Sequence, residues 1–378
     1  MTGIGTGFLN QTRRLFLRRR YQAMIILLFV MSFLGMEVYH QKVVYKFPVA
    51  VIDQDNSKIS RTLHTFFAST PEIAVYNEPI ESIEEARALL FRSKIEALIL
   101  IPPDFSQAIK TGDQARILVM IDASNIMIGK NIAKAVNKCI ATVSAGIQMT
   151  LAKKFKVPSD QALAAIMPIT VNENLSFNPF TNYALYLVPA MILFFLHVFI
   201  LIVVISCFLP GQQPGSLQEW IGAMAAVFVW GFLMALVFIY IYLPIEGIYS
   251  VSGFFMLLPA LSFFLLLDIL MAVALGTVIP KPFVALETTV ILGMLSLMLS
   301  GVTWPTDMFP ALLAWISQWI PFTPFARGIR MLLHFSVELD QMSGIYLLYA
   351  RQLILFSVMI GSGVLIRRFV VRRRADAK

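Results

Sequence analysis

The chain has 378 residues, of which 58% are hydrophobic and 14% charged, whereas about a quarter of the residues of a soluble globular protein carry charge; its mean hydropathy is +0.76. This is the composition of an integral membrane protein. The net charge of +8 does not indicate nucleic-acid binding, because the excess sits in two tails: Arg13, Arg14, Arg18, Arg19 and Arg20 at one end, Arg367, Arg368, Arg372, Arg373 and Arg374 at the other.

Basic residues beside membrane segments resist translocation and mark the cytoplasmic side, while long loops cross largely regardless of charge. Both termini are therefore expected inside, which requires an even number of spans. Residues 1–20 form a cytoplasmic basic surface helix: between 8 and 20, apolar pairs alternate with arginines, as in a helix lying on an anionic leaflet, or serving simply as a topology anchor. Residues 21–45 hold the first membrane helix, 21–38, and its outer junction. No small-residue cleavage site follows Gly35, so this is an uncleaved anchor rather than a signal peptide.

Residues 46–178 are polar by comparison and alternate strand-like with helix-like runs. Strands are expected at 49–52, 73–76, 97–101 and 117–121. Helices are expected at 57–67, at 82–93 behind a Ser82-Ile83-Glu84-Glu85 cap, at 104–110 with Gly112 as its stop, and at 125–154. This alternation gives a mostly parallel or mixed sheet with helices packed on it. Residues 179–366 form a membrane domain of five further helices, at 180–209, 222–242, 253–278, 283–301 and 346–366. An outer re-entrant segment, 303–343, is rich in Trp and Pro, too broken to span and too apolar for a free loop. A cytoplasmic basic tail, 367–378, completes the chain. The fold class is thus a polytopic α-helical membrane protein of six membrane helices, with an α/β extracytoplasmic domain inserted between helices 1 and 2.

Intramembrane ionisable groups are candidates for function by default. His197 and Asp268 fall near mid-span and Glu287 near the inner end of its helix. They read either as a proton relay or as structure, with Asp268 bonded to a neighbouring hydroxyl or backbone group and Glu287 at the headgroups. Asp53 and Asp55 follow a strand in an Asp-x-Asp-Asn turn, a pattern of backbone capping more than of catalysis. No catalytic constellation and no metal-type Cys/His cluster is found. Cys139 and Cys207 lie at different depths and do not suggest a disulfide. No phosphate-binding loop occurs; Gly129-Lys130-Asn131 lacks the hydroxyl that would hold Mg²⁺. The loop 210–220 faces the cytoplasm and ends in a short amphipathic helix capped by Ser216, with Glu219 three residues on.

Three stretches together resemble the permease subunits of ABC exporters of the ABC-2 type, in the subgroup with a large extracytoplasmic domain after the first membrane helix. The first is Val49-Ala50-Val51-Ile52-Asp53-Gln54-Asp55-Asn56-Ser57 with Ser60-Arg61-Thr62-Leu63, Ile101-Pro102-Pro103-Asp104-Phe105-Ser106 and Ile121-Asp122-Ala123-Ser124-Asn125. The second is the loop Gly215, Ser216, Leu217, Gln218, Glu219 and Trp220. The third runs from Leu299 through Trp304-Pro305 and Pro310 to Pro321 and Pro324. Where the family loop reads Gly-Thr-x-Glu after charged residues, this chain has Gln218 at the Glu position and Gln212-Gln213-Pro214 in place of the charges.

The resemblance implies a subunit without catalytic residues or a cofactor of its own, ATP and Mg²⁺ being held by separate ATP-binding subunits that meet residues 215–220 and the N-terminal helix. It implies a dimer with a second copy or a paralogous permease, in a bacterial inner membrane, with 46–178 periplasmic or extracellular and open to a periplasmic adaptor protein. Hydrophobic or amphipathic molecules, drugs or lipids, would move outward along a dimer interface lined by the second and fifth spans, gated by Leu299, Trp304, Pro305, Pro310, Pro321 and Pro324. The rival readings are an ion-coupled secondary transporter, for which no repeat relates the two halves, and a receptor with an extracytoplasmic ligand-binding domain, for which residues beyond 366 offer little output module.

Overall fold

An amphipathic helix, α1 (Gly3–Leu17), leads through Arg18 into α2 (Arg19–Val38), the first of six helices long and apolar enough to cross a membrane among the described residues. The computed structural model describes residues 3–38, 46–78, 80, 82–111, 113–122, 126–154, 183–334 and 336–376. Helix α1 occupies Gly3–Leu17 of the segment expected as a helix over 1–20, ending at Leu17 rather than running to 20.

Val43–Asn174 forms one unit; Met1–Lys42 and Leu175–Lys378 form another. The first is built on β1 (Phe47–Asp53), α3 (Lys58–Ser69), β2 (Ile73–Val75), α4 (Ile83–Phe91), β3 (Ala97–Ile101), α5 (Phe105–Thr111), β4 (Leu118–Ile121) and α6 (Ile126–Lys154). Strand order is β2-β1-β3-β4, with β1 parallel to both neighbours and β4 antiparallel to β3. The continuous apolar runs of β1 and β3 follow from burial on both faces. Val49, Ala97, Ile99 and Ile101 pack under Leu63, Phe67, Phe105, Ile132 and Val136. On the reverse face Ala50, Ile52 and Leu98 meet Ala86 and Ile95. The result is a helical layer on each side of a mixed sheet. Both helix caps are present: Ser57 accepts from the Ser60 amide at 3.1 Å, and Ser82 from the Glu85 amide at 3.1 Å. The helix stop assigned to Gly112, the Ala123-Ser124-Asn125 string and the chain from 155 to 182 lie outside the described residues.

The helical unit continues with α7 (Tyr183–Ser206), α8 (Leu217–Val237), α9 (Phe254–Val278), α10 (Pro282–Leu299), α11 (Ala311–Ser317), α12 (Phe322–His334) and α13 (Ser343–Asp376). Helix α8 is prolonged by a π-helical turn, Phe238–Tyr242, and a last α-turn, Leu243–Ile245. Helix α7 is the hub, with 78% of its spanning window buried by the unit's own helices, against 28% for α2 and 22% each for α10 and α13. Two expectations are corrected. The amphipathic segment at 217–220 is not a separate helix but the first turn of α8, since only Ile221 separates it from the span and the lone Gly222 that follows does not stop a helix. The basic tail is not separate either: α13 runs from Ser343 to Asp376, three residues earlier and ten later than the expected 346–366.

Candidate functional site

Helices alternate in direction through the unit, so Arg19, Ser206, Leu217, Val278 and Pro282 mark one end, here the basic end, and Val38, Tyr183, Phe254, Leu299 and Ser343 the other. At the basic end Ser216 caps α8, accepting from the Glu219 amide at 3.2 Å, and Glu219 Oε2 accepts from the Gly215 amide at 2.8 Å. Two donors without a helical partner are thereby satisfied, and the loop enters the helix in one fixed direction. Trp220 turns inward onto the Phe208 ring, centroids 4.7 Å apart, and joins Ile205, Ala285 and Leu286. Leu217 and Gln218 stay outside; Leu217 is 77% exposed.

Residues far away in sequence hold this loop. Arg14 donates to the Gln212 carbonyl at 2.6 Å, and Arg20 donates to the Gln212 side-chain oxygen and lies 4.5 Å from the Tyr21 ring centroid. The Tyr21 hydroxyl is 2.6 Å from Ser206 Oγ. Helix α1 lies directly on α8: Trp230 donates to Thr12 at 3.1 Å and stacks edge-on against Phe16. Glycines set the closeness of this crossing. A Cβ on Gly7 would fall 2.6 Å from the Glu219 Cα, and one on Gly222 would overlap the Ile4 carbonyl. Thus the six residues 215–220 sit together, and the residues that anchor them, Gly7, Arg14, Arg20, Tyr21 and Gln212, are ones the sequence reading did not select. The arginines had been read as part of a membrane-surface helix or a topology anchor, and Gln212 only as a departure from the family pattern.

The opposite end carries a helical hairpin, α11 and α12. Helix α11 is exposed, with Leu312 at 67% and Trp315 at 59%, whereas α12 is a buried wedge. Trp304, Pro305 and Pro310 lie on the exposed side and Pro321 and Pro324 in the core, so the six proposed gate residues form no single cluster. Leu299 contributes through its carbonyl, which accepts from Thr323 at 3.3 Å. The unexpected anchor is Gln352 of α13, fully buried, whose amide donates to the Gln318 and Ile320 carbonyls at 2.8 and 3.2 Å. Nine residues from the start of α13 is a depth of about 13 Å, so the hairpin turn dips well into the span.

His197 and Asp268 meet. Both are fully buried, and His197 Nδ1 is 2.9 Å from each carboxylate oxygen. Each is the fifteenth residue of its helix. Phe264 and Phe322 flank the imidazole at centroid distances of 6.0 and 5.3 Å. The structural reading of Asp268 had named a hydroxyl or backbone partner; its partner is a histidine. Glu287 is exposed in α10 and does not join them. No group of three or more metal-ligating side chains occurs among the described residues.

No curated protein and no solved structure matches the chain. The sequence model of a family described as ABC-2 family transporter protein matches residues 19–366, from the start of α2 to the last turns of α13, leaving only α1 and the tail outside. With six membrane-length helices and a capped loop at the basic end, the chain belongs to the ABC-2 family and is a membrane permease subunit of an ABC transporter, a kind of subunit that partners ATP-binding subunits.

Proposed function

We propose that this permease is the membrane half of an exporter that moves hydrophobic or amphipathic small molecules, drugs or lipids, outward across a bacterial inner membrane. The basic end faces the cytoplasm, both termini included, and the hairpin end and the α/β unit face outward, where the unit is free to meet a periplasmic adaptor. ATP and Mg²⁺ bind in separate subunits that dock on the surface made by α1 and the turn at 215–220, and two permeases, identical or paralogous, complete the transporter. The observation that carries this reading is the locked basic end. Arg14, Arg20 and the α1–α8 crossing fix the loop to the helices, while Leu217 is left outside as an apolar anchor. A push received there passes into α8 without being lost in a slack loop. The substrate route lies at the permease interface; of the second and fifth spans, α7 is mostly enclosed by its own bundle, so α10 supplies the lining.

Co-purification tests the reading. An ATP-binding subunit should accompany the wild-type chain, and Leu217→Asp, a change at an exposed position, should reduce its recovery about tenfold, the equivalent of about 1.4 kcal/mol. Substrate flux from the chain alone, driven by a proton gradient, would instead support the ion-coupled carrier, the alternative favoured by the buried His197–Asp268 pair.

A further inference from the structure

Buried polar atoms usually find a partner, in protein, water or ligand. Among those here without one are His197 Nε2, the Tyr346 and Tyr349 hydroxyls, Gln352 Oε1 and Trp319 Nε1, all in the region where α13, α9 and the hairpin meet. Tyr346, Tyr349 and Gln352 recur every third residue and so share one face of α13. Phe263 lies 5.9 Å from both tyrosine rings and stands five residues before Asp268 in α9. The row lies on the half of α13 nearest the hairpin and faces the stretch of α9 that leads to Asp268.

The pair has two principal charge states. With one shared proton and an ionised carboxylate, it leaves a net negative charge in a dry site, a condition tolerated only with a compensating cation or water. With a second proton it becomes an imidazolium–carboxylate pair with no net charge, and the cationic ring lies between Phe264 and Phe322, whose faces attract it. Phe322 is the first residue of α12, at the tip of the hairpin, so the same proton that neutralises the pair also holds the tip. Tyrosine hydroxyls both donate and accept, and the Tyr346 and Tyr349 rings lie 6.2 Å apart, so the two can pass a proton between them once water enters. Ionisable groups on the surrounding helices are displaced from the pair along the helix axes. Glu219 is in the first turn of α8, Glu287 in the second of α10, Glu37 near the far end of α2, and Arg330 and His334 lie against Tyr186 and Leu185 in the first turn of α7; Arg351 points outward from α13.

We propose that the His197–Asp268 pair is a proton-binding site, reached along Tyr346 and Tyr349, whose second proton latches the hairpin tip at Phe322 and whose loss releases it. The direction of access rests on the outward placement of the hairpin end proposed above; the proton site and the latch do not. Release admits water to the negative pair, so the hairpin opens as pH rises.

The test uses the full-length chain in phosphatidylcholine nanodiscs, without nucleotide, with Trp319 as the sole tryptophan and Trp220, Trp230, Trp304 and Trp315 replaced by Phe. Acrylamide quenching of Trp319 should rise about threefold as the pH is raised from about 5.5 to about 8.5, a window that spans neutral pH on both sides. His197→Phe, which keeps the aromatic packing, and Asp268→Asn should both abolish the rise. Tyr349→Phe should keep both end points but slow the response to a pH jump about tenfold. A flat parent curve, or a His197→Phe curve that follows the parent, overturns the proposal. Should Asp268→Asn not yield folded protein, the His197→Phe and Tyr349→Phe results decide. Either failure leaves ATP-driven export standing, because that reading depends on co-purification and not on pH.

Discussion

Asp55 accepts from both the backbone amide and the hydroxyl of Ser106, at 3.2 and 3.0 Å, tying the turn after β1 to the start of α5. Asp53 spends its carboxylate on the turn itself, taking the Asp55 and Asn56 amides at 3.0 Å and the Ser60 hydroxyl at 2.6 Å. Asn56 there adopts φ 49°, a left-handed conformation that asparagine tolerates well. Two carboxylates engaged in this way brace the backbone and are not poised for catalysis. Partial burial raises the Asp55 pKa, but the hydrogen bonds from Ser57 and Ser106 and the charge of Lys110 outweigh it and hold the carboxyl below its usual 3.8. A depressed folded value stabilises the fold fully above the unfolded pKa, and the contribution is lost as pH falls through the folded one. Amide exchange in α5 should therefore accelerate as pH drops below the ordinary carboxylate value, beyond its intrinsic pH trend, and Asp55→Asn should flatten that dependence. Superimposable acid limbs for the two proteins would show that the Ser106 bonds carry no stability.

Helices α1 and α8 illustrate how an element is placed by residues with little sequence signal. The β1 and β3 runs, the Ser57, Ser82 and Ser216 caps and all six spans could be read from apolar runs and capping chemistry, because those signals are local. The fusion of 217–220 into α8 could not, since an amphipathic turn and the first turn of a span differ only in what packs on them. Nor could the His197–Asp268 contact, 71 residues apart, or the Gln352 clamp, because helical periodicity says nothing about which helix faces which. Gly7 and Gly222 read as two ordinary glycines; their function is the absence of a side chain at the crossing. Gly222→Val should push α1 off α8, because even a Cβ would overlap the Ile4 carbonyl. Overpacking of this kind costs about 1–3 kcal/mol, enough to raise the open population of α1 about tenfold and to accelerate tryptic cleavage at Arg13 and Arg14 in proportion. Gly361→Val, at a site where a Cβ meets nothing within 4 Å, should leave cleavage unchanged. Equal rates in the two variants would mean that α1 is not held by this crossing.

Across the whole molecule, the spans are enclosed to very different degrees, and the least enclosed are the candidates for the contact if two permeases pair as proposed. Helix α10 buries 22% of its window, and Ile291, Met294, Leu295 and Met298 form an exposed stripe at helical spacing, each between 41% and 62% exposed. Lipid tails are as apolar as these side chains, so exposure alone does not choose between lipid and protein; van der Waals packing against a complementary surface does. Methionine adapts its shape to a partner, and two occur on this stripe. Helix α13 is equally little enclosed, at 22%, but its exposed apolar residues belong to a helix already tethered to the hairpin through Gln352. If α10 lines the interface between two copies, Met294→Cys, in a background with Cys139 and Cys207 replaced by Ser, should form a covalent dimer in oxidised membranes. A two-fold axis would bring the two thiols together, and a disulfide needs Cα atoms within about 7 Å. Val358→Cys, at a 63% exposed position on α13, should stay monomeric under the same conditions. Cross-linking at Val358 without cross-linking at Met294 would move the interface, and with it the proposed substrate route, from α10 to α13.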